Sequence, residues 1–555
     1  MNGRSRRPLE SPLAVRYTAR MPTLLIGLDG ATFDVIEPLA QAGDLPVLAD
    51  LMARGAWGPL RSVVPPITPT AWSSFMTGKE PGKHGIFDFR LYDPARAADR
   101  FISSQALTEP TMWELLRDAG LRVGVVGLPM MYPPSDRAAV VVSGFDTPST
   151  TVPFTHPPEL QARILSRFPD YQFVASPPAE DVNVETDVYF EQFVSDVERS
   201  FLQRTAVARD LIAEAPFDVL MVHYQDTDAM QHRVWRFIED PDRAPARWRR
   251  LRACYARLDA HLGELRRAMP DDTLVVVLSD HGFGALRGHV FPNVLLQQWG
   301  YLDWAGRRSG KLKRSIQKRL VRLGLAQPEA ARGGPWVAEQ RTRHFDRVLP
   351  LRWERTRAYV ALGHSYGHLF VNLRGREPHG IVEPADRDAL RSELAARFAD
   401  VRDPVTSTPV IAAVLRGEDV YPADRFARRP DLVLVPADGY EVSRQLNYKM
   451  SLARYESVGG SHRMHGIFIA AGAGIRPGAF TQALSIMDVA PTVLAHHGVG
   501  IPDDVDGRVA GELFVEAPEP RFVTVGARAA DGEAGLSADE EEIVAARLRA
   551  LGYTE

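Results

Sequence analysis

The stretch LLIGLDG at residues 24–30 begins the pattern that decides the fold, because an aliphatic run stops abruptly at a carboxylate. Two further stretches have the same form, VLMVHYQDTDAMQH at 219–232 and LVVVLSDHGFG at 274–284. Continuous apolar runs of this length are typical of strands buried on both faces. In an open α/β sheet, the residues that follow such strands lie in the crevice at the carboxyl edge. The three stretches therefore predict one sheet with a polar site at that edge.

The rest of the chain alternates strand-like runs with helical patterns such as 44–56 and 111–120. This alternation predicts an α/β fold with a mostly parallel central sheet and helices on both faces. The further strand-like runs are LRVGVVGLP (121–129), AAVVVSGF (138–145), HLFVNL (368–373), DLVLVP (431–436) and GIFIAAG (466–472).

Composition excludes several classes of protein. A formal net charge of -4, with 25% charged residues, gives no reason to expect a nucleic-acid partner. The single cysteine, Cys254, excludes a disulfide framework and lies in a helical pattern. The basic N-terminal region lacks an apolar segment of signal-peptide length, and no window approaches the roughly 20 apolar residues that span a bilayer. We therefore expect a cytoplasmic protein without a transmembrane segment.

A basic stretch at 307–323 carries Leu312, Ile316, Leu320 and Leu323 at helical spacing. The favoured interpretation is a solvated helix within an insertion. The alternative is peripheral contact with an anionic membrane surface through the same residues.

Asp228 and His232 are separated by four positions, which places both side chains on one face of a helix that begins at the strand end. This spacing suits two ligands of one metal ion. Asp226 is a competitor, but its spacing to His232 is wrong for a shared face. A helix cap with an exposed histidine is the alternative interpretation.

Asp280 and His281 follow the most hydrophobic run in the chain, and Gly282 permits a sharp turn that aims both at one ion. Carboxylate oxygen with imidazole nitrogen suits zinc or manganese better than calcium. His462 and His465, in GGSHRMHG at 459–466, are further candidate ligands, and an exposed loop histidine is the favoured interpretation of His465.

Thr68 precedes Pro69 in PPITPTAWSSFMTG at 65–78, so we predict that Thr68 caps a helix that ends near Gly78. The positive end of the helix dipole would favour an alkoxide and a phosphate at this position. A hydroxyl is a poor nucleophile unless a base or a metal lowers its pKa. A bound metal would supply that activation, and Thr70 is the second choice of nucleophile.

The chain resembles the alkaline phosphatase superfamily, most closely its type I phosphodiesterase and nucleotide pyrophosphatase branch, over residues 21–514. The motifs that carry the resemblance are, in order, GLDG, a TP-containing helix ending in TG, PGKHGIFDF, DxxxH, SDHGFG, GSHR, and DVAPTVLAHHGV followed by DGR. The resemblance implies an alkaline-phosphatase-like mostly parallel central sheet with inserted cap segments. It implies a phosphoester hydrolase, acting on a small phosphorylated substrate, in which Thr68 attacks phosphorus and forms a phosphothreonine intermediate.

The cofactors that the resemblance implies are two divalent metal ions, zinc with manganese as the alternative. The implied ligands are, for one ion, Asp29, Thr68, Asp280 and His281 and, for the other ion, Asp228, His232 and His462. Some relatives place the last histidine directly before a glycine, as His465 is here.

One position departs from the pattern, because Phe89 stands where nucleotide pyrophosphatases have an asparagine that contacts phosphate. A nucleotide substrate is therefore not implied, and Lys83, Arg90 and His289 are candidate anion contacts. A sulfatase would need a modified cysteine or serine at the nucleophile position. A phosphomutase or phosphotransferase on the same two metals, and a non-catalytic binding module, are the alternative functions.

The predicted organisation has three parts. Residues 1–21 form a flexible N-terminal tail, and residues 22–515 form the catalytic domain with a basic helical insertion at about 303–350. Residues 516–555 form a C-terminal tail with a short helix, in which acidic residues lead and arginines trail.

Overall fold

The computed structural model describes residues 21–95, 97–175, 186–304, 351–446, 450–455, 459–472, 474–480, 482–527 and 536–551. The α-helices are α1 (Phe33–Gln41), α2 (Pro46–Arg54), α3 (Thr68–Thr77), α4 (Pro81–His84), α5 (Met112–Asp118), α6 (Glu159–Arg167), α7 (Asp187–Glu214), α8 (Asp226–Glu239), α9 (Pro245–Ala268), α10 (Pro292–Gln298), α11 (Arg387–Ala399), α12 (Gly417–Val420), α13 (Val489–His496) and α14 (Ala538–Leu551). The strands are β1 (Thr23–Leu28), β2 (Ala56–Arg61), β3 (Arg90–Asp93), β4 (Ala98–Phe101), β5 (Val123–Val126), β6 (Val140–Val142), β7 (Thr155–His156), β8 (Val219–Tyr224), β9 (Leu274–Leu278), β10 (Gly282–Ala285), β11 (Gly288–Val290), β12 (Ala358–His364), β13 (Tyr366–Val371), β14 (Ile411–Arg416), β15 (Leu432–Pro436), β16 (Tyr440–Val442), β17 (Leu452–Arg454), β18 (Gly460–Arg463), β19 (His465–Ala471), β20 (Gly478–Ala479), β21 (Leu484–Ser485), β22 (Ile501–Pro502) and β23 (Phe522–Val523).

The central sheet is mostly parallel. Its strand order is β20-β2-β19-β9-β1-β8-β5-β6-β7, and β21 pairs with β2 beside this path. Strands β9, β1, β8, β5 and β6 run parallel to one another, whereas β19 and β7 are antiparallel to their neighbours β9 and β6. The predicted fold class is therefore confirmed.

Both faces of this sheet are covered, as the continuous apolar runs predict. In β1, Leu24, Ile26 and Leu28 face one hydrophobic core, which includes residues of α1, α2, α7 and α9. Leu25 faces a second core on the opposite side, which includes residues of α3, α5 and α13. Because successive side chains of a strand point to opposite faces, a strand between two cores must be apolar throughout.

A second sheet forms a cap segment between β11 and β18 in the chain. Its strand order is β12-β13-β15-β14, all pairs are antiparallel, and it has its own hydrophobic core around residues such as Tyr359, Phe370 and Leu434. The runs HLFVNL and DLVLVP form strands, as their composition predicts, but they lie in this cap sheet rather than in the central sheet.

Two parts of the predicted organisation lie largely outside the described residues. The N-terminal tail falls on residues 1–20, and the basic insertion with its amphipathic stretch 307–323 falls within 305–350. Within the described residues, none of the helices has the length and apolar content that crossing a bilayer requires.

The C-terminal helix α14 packs against one face of the central sheet. Val544, Ala545, Leu548 and Leu551 are buried in the core that also contains β1 and α7. The guanidinium of Arg547 donates to backbone carbonyl groups of residues 145, 147 and 148. The helix therefore contributes apolar surface to the fold as well as ending the chain.

We predict that Leu548→Ala lowers the free energy of unfolding by about 2–4 kcal/mol, because Leu548 is only 1% exposed and its removal leaves a cavity. Denaturant unfolding of the full chain measures this change. Glu542→Ala, at an exposed position of the same helix, is the matched control and should change stability little. Equal stability of both variants would show that α14 does not support the core.

Candidate metal centre

The predicted site residues follow three adjacent strands. β1 lies between β8 and β9, with Leu28 aligned with Tyr224 and Gly27 aligned with Leu278. Because the three strands are parallel and in register, their carboxyl ends meet at one edge of the sheet. The side chains that follow them there are Asp29, Asp228, Asp280 and His281, all at most 1% exposed.

Asp29 is held by groups on both of its oxygens. Trp72 Nε1 donates to Oδ2 at 2.9 Å, and His223 Nε2 lies 3.1 Å from the same oxygen. The hydroxyl of Thr68 donates to Oδ1 at 3.5 Å, a long contact. His223 Nδ1 in turn lies 3.1 Å from the Gly127 carbonyl. One oxygen of Asp29 is therefore fixed, which leaves the other facing Thr68.

Helix α3 presents Thr68 to this carboxylate. Thr68 is the first residue of the helix and Ile67, with an extended backbone, precedes it, so the helix begins one residue earlier than we predict. Thr68 and Trp72, four positions apart, share the face that contacts Asp29. Thr70 is also fully buried, but among the described residues its hydroxyl has no hydrogen-bond partner. Gly78 ends the helix in the left-handed conformation, as predicted.

Asp29, Asp280 and His281 form the first group of candidate ligands. His281 Nε2 lies 3.3 Å from Asp280 Oδ2 and 3.6 Å from Asp29 Oδ1. The backbone amide of Gly30 donates to Asp280 Oδ1 at 3.2 Å. Gly30 has a φ of +64°, and a Cβ there would lie 3.1 Å from Asp228 Oδ1, so this turn requires glycine.

Asp228, His281 and His462 form the second group, so His281 lies within reach of both. His462 Nε2 is 3.3 Å from Asp228 Oδ1 and 3.0 Å from His232 Nε2. His232 Nε2 is 3.5 Å from Asp228 Oδ2, and the two residues are four positions apart on α8. The antiparallel pairing of β10 with β18 brings His462 to this position, because Phe283 is aligned with His462.

Asp226 and His465, the alternative candidate ligands, lie outside this group of side chains. Asp226 accepts hydrogen bonds from the Ser200 hydroxyl and the Ala175 amide, each at 2.5 Å, and so it ties α7 to α8. His465 is exposed at the start of β19. Asp228 rather than Asp226, and His462 rather than His465, therefore lie at the site.

Each histidine of the site directs Nδ1 to a backbone carbonyl and Nε2 to the common centre. The Nδ1 distances are 3.1 Å for His232 to the Gly460 oxygen, 3.0 Å for His462 to the Pro66 oxygen and 3.0 Å for His281 to the Gly282 oxygen. This arrangement leaves the Nε2 lone pairs for a cation, and it is the usual orientation of metal-binding histidines.

Electrostatics also favour a cation. Burial raises the pKa of Asp280 well above its ordinary value, and the negative charges of Asp29 and Asp228 raise it further. Burial lowers the pKa of His232 to about 3 and that of His462 well below its ordinary value. The histidines are therefore neutral near pH 7 and can act as ligands, and the crowded carboxylates favour a cation between them.

The donor set fits divalent metal ions. Among the described residues, the buried atoms Asp280 Oδ2 and His281 Nε2 have no hydrogen-bond partner. Buried polar atoms normally have a partner, and these two point into the group of carboxylates and imidazoles. Mixed oxygen and nitrogen ligands suit zinc and manganese.

The candidate anion contacts are occupied within the protein. Each pairs with a carboxylate, Lys83 with Asp506 at 2.6 Å, Arg90 with Asp99 at 2.7 Å and His289 with Glu441 at 3.0 Å. Phe89 is 5% exposed and packs in the core, so its side chain offers no polar contact.

Sequence reasoning missed three residues around the site: Trp72, His223 and His364. The first two contact Asp29, and the ring of His364 lies 6.0 Å from that of His462. Trp72 could have been found, because it lies one helical turn after Thr68 and on the same face. His223 lies inside the apolar run of β8, where a polar residue is a signal that we did not use.

The mostly parallel sheet and the two groups of carboxylates and imidazoles fit the class of metal-dependent phosphoester hydrolases. The chain belongs to the type I phosphodiesterase/nucleotide pyrophosphatase family, which matches residues 23–468. The resemblance seen in the sequence is therefore confirmed. No curated protein sequence matches the chain significantly.

Solved structures of two proteins are among those similar to this chain. One is phosphonoacetate hydrolase from Sinorhizobium meliloti 1021, in complexes with phosphonoformate and phosphonoacetate, at 19% identity over 86% of this chain and 96% of that chain, with a TM-score of 0.55. The other is human ectonucleotide pyrophosphatase/phosphodiesterase 5, at 13% identity over 89% of this chain and 100% of that chain, with a TM-score of 0.46. The similarity to phosphonoacetate hydrolase supports the assignment of the fold.

We predict that zinc or manganese binds more tightly as the pH rises, because the raised pKa of Asp280 keeps a proton that the metal must displace. Calorimetric titration of chelator-treated protein, in buffers of different ionisation enthalpy, measures both affinity and proton release. Asp280→Asn should bind metal more weakly and release fewer protons. An affinity independent of pH would contradict this electrostatic description.

Proposed function

We propose that this protein hydrolyses phosphoesters with the Thr68 hydroxyl as nucleophile, through a phosphothreonine intermediate, at a centre of two divalent metal ions. The observation that carries the proposal is the position of Thr68, whose hydroxyl contacts Asp29 Oδ1 beside the two ligand groups. A threonine at this position also argues against a sulfatase, which would need a modified cysteine or serine.

The proposed ligands divide between two ions, zinc with manganese as the alternative. Asp29, Thr68, Asp280 and His281 would hold one ion, and Asp228, His232 and His462 would hold the other. Two such ions, when bound, would stabilise the negative charge on the attacking and leaving oxygens of an in-line displacement.

The residues around Thr68 orient the hydroxyl for attack. Trp72 and His223 both engage Asp29 Oδ2, so Oδ1 remains directed at the Thr68 hydroxyl. Thr68 begins α3, where backbone amide groups and the helix dipole favour an anionic phosphoryl group. Attack by the Thr68 oxygen would form the bond to phosphorus and release the alcohol leaving group, and water would then hydrolyse the phosphothreonine, which releases phosphate and restores the Thr68 hydroxyl.

The substrate that we propose is a small phosphorylated molecule. We do not expect nucleic acid as a partner, since the net charge of -4 means that basic residues do not outnumber acidic ones. A cytoplasmic location remains a prediction, and so does the solvated helix at 307–323 with its alternative of peripheral membrane contact.

We predict that Thr68→Ala lowers kcat by at least about a thousandfold, because the variant lacks the attacking oxygen. Thr70→Ala, two residues along the same helix, is the matched control and should retain most of the activity. Turnover is measured with paired aryl phosphomonoester and aryl phosphodiester substrates, and metal content by elemental analysis. Mass spectrometry after acid quenching should detect phosphate on Thr68 in the unmodified protein.

The outcomes separate the alternative functions. Substantial activity of Thr68→Ala with normal metal content would refute the nucleophile assignment. Conversion of a phosphosugar into its isomer without free phosphate would identify a phosphomutase instead. Absence of turnover across both substrate classes with added zinc or manganese would indicate a binding module.

A further inference from the structure

The cap sheet reaches the metal centre through the hairpin of β12 and β13. β12 ends at His364 and β13 begins at Tyr366, so only Ser365 separates the two strands. His364 is aligned with Tyr366 across this turn. The hairpin therefore ends in a very tight tip, whose first residue is a histidine.

The tip has a fixed backbone conformation. Ser365 has a φ of +68°, in the left-handed region that non-glycine residues rarely adopt, and it is 2% exposed. The carbonyl of Ser365 accepts a hydrogen bond from the Val442 amide at 2.9 Å, which anchors the tip to β16. Such strained positions persist where surrounding structure holds them, and they occur often at functional sites.

The ring of His364 lies against the candidate ligands. Its centroid is 6.0 Å from that of His462, with the ring planes at 83°. His364 is partly exposed, whereas His281 and His462 are buried. His364 therefore lies at the mouth of the centre, between the ligands and solvent.

The neighbouring acidic group is already engaged. Glu441 accepts a hydrogen bond from the Ser461 hydroxyl at 2.6 Å on one oxygen, and His289 Nε2 lies 3.0 Å from the other. The apolar ring of Phe89 lies 6.2 Å from the ring of His364. His364 combines partial exposure with a ring contact to His462, and this position suits a contact with an anion bound at the centre.

We propose that His364 contacts the substrate, donating an imidazole N–H to an oxygen of the phosphoryl group bound at the metal centre. Phosphoryl oxygens accept hydrogen bonds, and a donor to a charged oxygen forms a stronger bond than a neutral pair does. This assignment rests on the proposed function, and it makes the cap sheet a contributor to substrate recognition. His364 is not among the proposed metal ligands.

The test compares His364→Ala and His364→Gln with the unmodified full chain, each loaded with zinc or manganese. Binding of inorganic phosphate is measured by calorimetry, and kcat/KM is measured with the two aryl substrates. We expect His364→Ala to weaken phosphate binding and lower kcat/KM by about tenfold or more, at unchanged metal content. His364→Gln should recover part of both values, because its amide also donates. His379→Ala, an exposed histidine of the cap segment, is the control and should leave both values unchanged.

The phosphate measurement separates the two proposals. If the unmodified protein hydrolyses neither substrate but phosphate binding still weakens in His364→Ala, the hydrolase proposal fails and the contact is supported. The unmodified protein could hydrolyse the substrates normally while phosphate binding and kcat/KM change by no more than about twofold in His364→Ala. That result would refute the contact of His364 and leave the hydrolase proposal standing. Loss of metal from His364→Ala, or absence of phosphate binding by the unmodified protein, would also overturn the contact.

Discussion

The mutual repulsion of buried carboxylates is the constraint on which the site depends. The parallel strands β1, β8 and β9 bring Asp29, Asp228 and Asp280 to one edge of the sheet, where each is at most 1% exposed. Two like charges about 4 Å apart repel by about 4 kcal/mol at an effective dielectric constant of about 20. Hydrogen bonds from Trp72 and the Gly30 amide offset only part of this cost. The divalent cations of the proposed function would remove this repulsion, which would explain why the fold retains such a cluster.

The same constraint explains how the neutral ligands are arranged. Buried histidines with lowered pKa values add no positive charge, so they can share the site with cations. Their Nδ1 atoms are directed to carbonyl groups on β18, on β10 and in the loop before α3. Elements far apart in the chain thereby fix the direction of each Nε2. The precision of the centre comes from backbone groups as much as from the ligands themselves.

The sequence predicts well which side chains meet at the strand ends, but it predicts poorly the residues that support them. Asp29, Asp280 and His281 follow apolar runs, and a single rule about carboxyl edges places all three. Asp228 could be preferred to Asp226 because helical spacing to His232 is a local property. His223 is marked as a polar residue within an apolar run, but its contact with Asp29 depends on how β8 pairs with β1. The resemblance implies cap segments, but composition does not distinguish a strand of a second sheet from one of the first.

His462 lies on β18, after the cap sheet in the chain, and this order matters during synthesis of the protein. The chain supplies Asp29, Thr68, Asp228, His232, Asp280 and His281 before it builds the cap sheet, and it supplies His462 only afterwards. Domains begin to fold during synthesis, from the N-terminus onwards. A nascent chain on the ribosome therefore lacks His462, a proposed ligand, until the whole cap has been translated. The second of the two proposed ions would then gain its full set of ligands only late in synthesis.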